Sequence, residues 1–224
     1  MKKPINNDHY SLQNWLRSPV IQMKSVLRWG RFKMHSILQS TLDHTVEQTL
    51  LTILAVIIEV QIDERINPFA LTVSALLHDF GERPKRRLRR RKSKKWRYDV
   101  SVPDKTVNTE TLRDIERKRV YDYFDRLPIV EPFKSQIIDF LVSTYEIQYE
   151  QKTINGEFFN ILEQLGYVLH AYKEYMQHSY YEYDEVFVNN HYNVVKACNT
   201  FKSIKILYSP YIDEIEKALQ KKPT

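Results

Sequence analysis

Four X-Pro pairs constrain this chain more than any other feature. Ser18-Pro19, Asn67-Pro68, Glu131-Pro132 and Ser209-Pro210 each place proline where a first helical residue loses nothing by lacking an N–H, and three of them sit behind a good or acceptable cap. Beyond each pair, apolar residues recur at spacings of three and four, the period of a helix with one buried face. Strand signals are scarce by contrast: 224 residues contain only 4 glycines, and no run alternates apolar and polar residues between turn signals. The spacing predicts helices over roughly 8–28 (broken at Pro19), 42–62, 68–80, 108–126, 132–149, 157–178, 184–203 and 209–221. The expected class is all-α.

With 42% apolar residues the chain is long enough to bury one substantial core and a small second lobe. Cys198 is the single cysteine, which excludes an intrachain disulfide and points to a reducing compartment. The longest apolar run, "LLTILAVIIEV" from Leu50 to Val60, is short for a membrane span and contains Thr52 and Glu59. The start, "MKKPINNDHY", has no apolar core behind its lysines. A soluble cytoplasmic protein without a membrane partner is the expectation.

The formal charge of +6 is unevenly placed. Residues 83–97 hold 11 of the 34 lysines and arginines and no acid, so the remainder is net acidic. An anionic partner for that segment follows: nucleic acid, a nucleotide polyphosphate or an acidic protein surface. The stretch 83–105 also lacks helical periodicity, and its like charges repel, so it reads as an exposed mobile loop. Trp96 and Tyr98, at its end, could stack on a base. The tyrosines between Tyr167 and Tyr192 read as helix packing with hydroxyls at the surface.

His78-Asp79 ends the apolar stretch "FALTVSALL" and is followed by Gly81, a good residue for leaving a helix. His44 stands near the start of the preceding long helix, joined to the next by the short link "DERIN". Two successive antiparallel helices would bring the start of the first near the end of the second, so His44 and His78-Asp79 would meet. Two imidazoles and a carboxylate suit Mn, Fe, Co, Ni or Zn, and such an ion makes water nucleophilic near neutral pH. Glu82, four residues beyond His78, could orient that water or take its proton. The competing account is ordinary: a histidine on an apolar helix is often only a hydrogen-bonded core residue.

Taken together, Arg28-Trp29, "LDHT" around His44, "LLHDFGE" from Leu76 to Glu82 and "NILEQLGYVLHAY" from Asn160 to Tyr172 resemble, in order and spacing, the HD-domain metal-dependent phosphohydrolases. The likeness runs over roughly residues 25–175 and is strongest to the bacterial 5'-deoxynucleotidase branch. It implies an all-helical HD-domain bundle at 25–178, carrying the basic loop 83–105. A helical segment at 1–24 would precede it, and a C-terminal helical extension at 179–224 would follow. It also implies His44, His78 and Asp79 as ligands of a divalent metal (Mn, Co, Fe, Ni, Zn or Mg), Glu82 as the acid that handles the water, and Arg28 as a phosphate contact. Trp29 would pack near the nucleoside, and Lys33 is a further cation close by. The resemblance is compatible with a homodimer.

This sequence departs from that pattern twice. Where the family carries a late aspartate ligand, "LEQLGYVL" places Glu163, with Glu157 as the alternative acid on the same helix. Where the deoxynucleotidases carry an acid that helps recognise the sugar, Arg87 stands in the stretch "RPKRRLRR". The expected activity is metal-dependent hydrolysis of deoxynucleotides, mono- or triphosphate. The alternatives are a nuclease or phosphodiesterase holding single-stranded nucleic acid on 83–97, and a catalytically weak scaffold that binds nucleic acid or protein.

Overall fold

The computed structural model describes residues 21, 23–24, 39–81, 109–127, 129, 131–178 and 184–220. In chain order these form α1 (Thr41–Glu59), α2 (Pro68–Leu77), α3 (Thr109–Asp125), α4 (Phe133–Glu146), a 3-10 turn (Ile147–Tyr149), α5 (Ile154–His178), α6 (Asp184–Ala197), α7 (Lys202–Tyr208), a second 3-10 turn (Ser209–Tyr211) and α8 (Ile212–Gln220). No strand occurs among the described residues, so the all-α expectation holds. The expected helix over 8–28 and the basic loop fall mostly or wholly outside them.

Two compact units divide these elements: one holds 38–44 and 77–145, the other 45–76 and 146–224. In the first, α1 opens on a capping box. Ser40 N and Oγ donate to Asp43 Oδ2 at 3.0 and 2.7 Å, and Asp43 N donates back to Ser40 Oγ at 3.1 Å. Two orphan donors of the first turn are thereby satisfied, and the acid stands where the helix dipole favours it. That turn carries His44. At the end of α2 the chain is held against α3: Phe80 is buried, with its ring 5.2 Å from Tyr123 and 5.8 Å from Phe124. Arg119 donates to the Gly81 carbonyl at 3.3 Å, and a Cβ on Gly81 would stand 2.8 Å from Glu116 Cβ. Only a residue without a side chain lets the backbone pass this close.

In the second unit, Asn67 caps α2 as the Asn-Pro pair foretells: its Oδ1 accepts from Ala70 N at 3.0 Å, with Pro68 as the first helical residue. Asn155 braces that corner, accepting from Asn67 N at 2.8 Å and donating to Arg65 O at 3.1 Å. Phe158, Leu162, Leu165 and Val168 form the buried face of α5, which packs along α6. One expected helix is broken. The reading over 184–203 ends at Ala197, and α7 begins afresh at Lys202. The buried carboxylate of Glu59 is the reason. It accepts from Ser203 N at 2.7 Å and Ser203 Oγ at 2.5 Å, capping α7 where its own N-cap residue, Phe201, offers no side-chain bond. Phe201 turns inward instead, 4.8 Å from the Phe158 ring.

Gly156 gives a test of this packing. In a helix interior alanine normally outranks glycine by about 1 kcal/mol, yet a Cβ here would fall 2.0 Å from the Glu150 carbonyl oxygen. Backbone cannot swing aside as a flexible side chain does, so the clash dominates and the helix start must shift at a cost of about 2–3 kcal/mol. Gly156→Ala should therefore lower the melting temperature by about 5 °C or more. A thermal melt that is unchanged or raised would refute the close approach.

Candidate metal centre

His44 closes the first turn of α1, and His78 and Asp79 follow directly on the end of α2 at Leu77. All three are buried, and all belong to the first unit. His78 Nε2 lies 3.2 Å and His44 Nε2 3.9 Å from the same oxygen, Asp79 Oδ2. The two imidazoles meet edge to face, their centroids 5.3 Å apart. One donor atom from each residue falls within 4.8 Å of the other two.

Donors bound to one first-row divalent ion at about 2.0–2.2 Å stand roughly 3–4 Å from one another. The two measured separations to Asp79 lie in that window, and the remaining spread asks for a side-chain adjustment of less than an ångström. The chemistry of the set also fits. Two imidazole nitrogens and one carboxylate oxygen favour Mn, Fe, Co, Ni or Zn over Ca, which prefers oxygen alone. Three donors among the described residues would leave positions open on such an ion, as catalytic sites do.

His191 shows what a purely structural histidine looks like in the same chain. It is fully buried on α6, with Nδ1 2.6 Å from the Tyr208 hydroxyl. Burial pushes its pKa below the ordinary imidazole value, against the opposing pull of Glu216. No second carboxylate or histidine converges on it among the described residues.

Of the residues singled out from sequence, His44, His78 and Asp79 are brought together. Glu163 stands on α5 in the second unit, where it accepts a 2.5 Å hydrogen bond from the Tyr167 hydroxyl one turn on. Glu157, the alternative acid, is exposed in the first turn of α5. Arg28, Trp29, Lys33, Glu82 and Arg87 lie outside the described residues, as does the segment 83–97. Sequence reasoning passed over the capping pair Ser40 and Asp43, which sets the turn bearing His44, although Ser-x-x-Asp before an apolar helix was a legible signal. It also passed over His170 and Glu174. Both are buried on α5 and continue the face of Glu163 and Tyr167 at four-three-four spacing.

No family model matches this sequence, and no curated protein matches it significantly. Among solved structures it is similar to the crystal structure of an HD-domain phosphohydrolase from Listeria innocua. That likeness has a TM-score of 0.62 at 16% identity and covers 94% of this chain and 92% of the other. The fold is therefore that of an HD domain.

Proposed function

We propose that this chain is a divalent-metal-dependent phosphohydrolase acting on deoxynucleotides. The observation that carries the reading is the convergence of His44, His78 and Asp79, three buried donors on two successive helices. The shared fold with an HD-domain phosphohydrolase supports it, as does the order of motifs in the sequence. An ion held by these three would supply the positive charge that lowers the pKa of water and draws a phosphoryl oxygen.

The chain's own groups do the rest. The planar guanidinium of Arg28 clamps phosphoryl oxygens through paired N–H donors, with Lys33 and Arg87 as further cations for the phosphate chain. Trp29 packs against the nucleoside. Glu82 takes the proton from the attacking water as its oxygen bonds to phosphorus, and returns that proton to the oxygen that departs when the ester or anhydride bond breaks. Glu163 is a fourth candidate ligand. Its bond to Tyr167 holds the carboxylate in one rotamer, a preorganisation useful to a ligand and equally to a helix face.

A panel of deoxynucleoside mono- and triphosphates and single-stranded DNA, run with Mn, Co, Mg and Zn, tests the proposal. The expected result is chelator-sensitive release of phosphate or a longer phosphate chain from nucleotides. Cleavage of DNA alone would favour the nuclease reading, for which the basic run 83–97 speaks. No turnover in a metal-loaded protein would sink both and leave a binding scaffold.

A further inference from the structure

On α1 two polar side chains go inward while leucines stay out. Gln48 and Thr52, one turn apart, are 1% and 0% exposed, whereas Leu50 and Leu54 are 58% and 56% exposed. Burial ordinarily favours the opposite choice. Both amide atoms of Gln48, Oε1 and Nε2, and the Thr52 hydroxyl are buried with no hydrogen-bond partner among the described residues. Thr52 also leaves a local solution unused. Thr49 of the same helix donates to the Thr45 carbonyl at 2.7 Å, and Thr72 of α2 to the Pro68 carbonyl at 2.8 Å, but Thr52 makes no such bond to the carbonyl of Gln48. Each polar atom left bare in an interior forfeits its bonds to solvent on folding, a larger loss than one ordinary hydrogen bond makes good, and native interiors tolerate few of them. Three such atoms within one turn call for a partner other than the protein.

We infer that Gln48 and Thr52 form an internal hydration site, in which a resident water is shared by the amide and the hydroxyl. The spacing suits water. Side chains four apart on a helix stand about 5–6 Å from one another at Cβ, and one water making a bond of about 2.8 Å on each side bridges a gap of that order. The donors and acceptors suit it equally. A carboxamide offers an acceptor and two donors and a hydroxyl offers both, so a water finds here the two to four polar contacts that hold it in an interior. Ions are a poor match. A cation asks for carboxylate oxygens and an anion for guanidinium or ammonium groups, while both side chains are neutral. The buried carboxylate further along the helix, Glu59, is already engaged by Ser203. Burial to 1% or less leaves room only for a small guest.

Oxygen-17 magnetic relaxation dispersion of the solvent, recorded on the full chain, counts waters that stay in the protein longer than it takes to tumble. The amplitude should fall by about one water in Gln48→Met and again in Thr52→Val when each is compared with wild type. Thermal melts read the same site by their sign. Where a water satisfies both side chains, removing one of them strips a partner from the other, so each single variant should melt below wild type. The double variant should melt no lower than the less stable single, because it leaves no polar atom behind. If the atoms were bare, each substitution would relieve them. Single variants melting at or above wild type would therefore overturn the inference, as would additive losses or an unchanged dispersion amplitude. A crystal structure of the wild-type chain needs no variant to fold. Water within hydrogen-bond distance of both the Gln48 amide and Thr52 Oγ1 is the expected result, and bonds from both side chains to protein groups alone would sink the site.

Discussion

Asp79→Ala is expected to lower divalent-metal affinity by more than the ~10–100-fold that the loss of an outer-shell partner costs. Among the three converging donors Asp79 is the one anionic group, and its Oδ2 is the atom both imidazoles approach, at 3.2 and 3.9 Å. Removing it takes away a ligand and the charge that offsets the ion. It also leaves two buried histidines facing each other at 5.3 Å between ring centroids. His78→Ala should act in the same direction, since it leaves only His44 and the carboxylate. Calorimetric titration of chelator-treated protein with Mn, Co and Zn, together with metal analysis of the protein as purified, measures the effect. Unchanged metal content in both variants would falsify the centre. A fall in affinity with intact helical circular dichroism is the result that supports it, because a collapsed fold would lose metal for a trivial reason.

What the sequence made legible follows from how local each determinant is. The start of α2 was readable because Asn67, Pro68 and the bond to Ala70 all lie within one turn. The convergence of His44, His78 and Asp79 was readable for a related reason: a short link joins α1 to α2, and the three donors stand at the start of the first and just past the end of the second. The break before α7 was not readable. Its cap is Glu59, which donates nothing to its own helix's amphipathic pattern and reaches Ser203 across 144 positions of sequence. From sequence, Glu59 is an acid interrupting an apolar run; in the fold it is buried because two donors of α7 are aimed at it. The exposure of Leu50, Leu54 and Ile57 was hidden in the same run. Both faces of that helix are apolar, and periodicity alone does not say which of two apolar faces has the core behind it.

Glu82→Gln is expected to leave metal content intact and to lower turnover by about 10²–10⁴-fold, the usual worth of a positioned proton acceptor. Glutamine keeps the length and shape of the side chain and can still hold a water by hydrogen bonding, but it takes no proton. If Glu82 handles the proton, kcat and kcat/KM should fall together, since the lost interaction exists only in the transition state. The acidic limb of the pH profile should vanish with it, because the group whose deprotonation switches activity on has been removed. If Glu82 were instead a ligand, the amide would weaken metal binding and raising the metal concentration would restore rate. Glu163 gives the internal comparison. As a ligand it would show that second pattern, with Glu163→Ala lowering metal affinity and Glu163→Asp partly tolerated; as a helix-face acid paired with Tyr167 it would show neither. The two carboxylates are thus separated by one pair of measurements, metal affinity and rate at saturating metal. The proposed chemistry requires that Glu82 move only the rate.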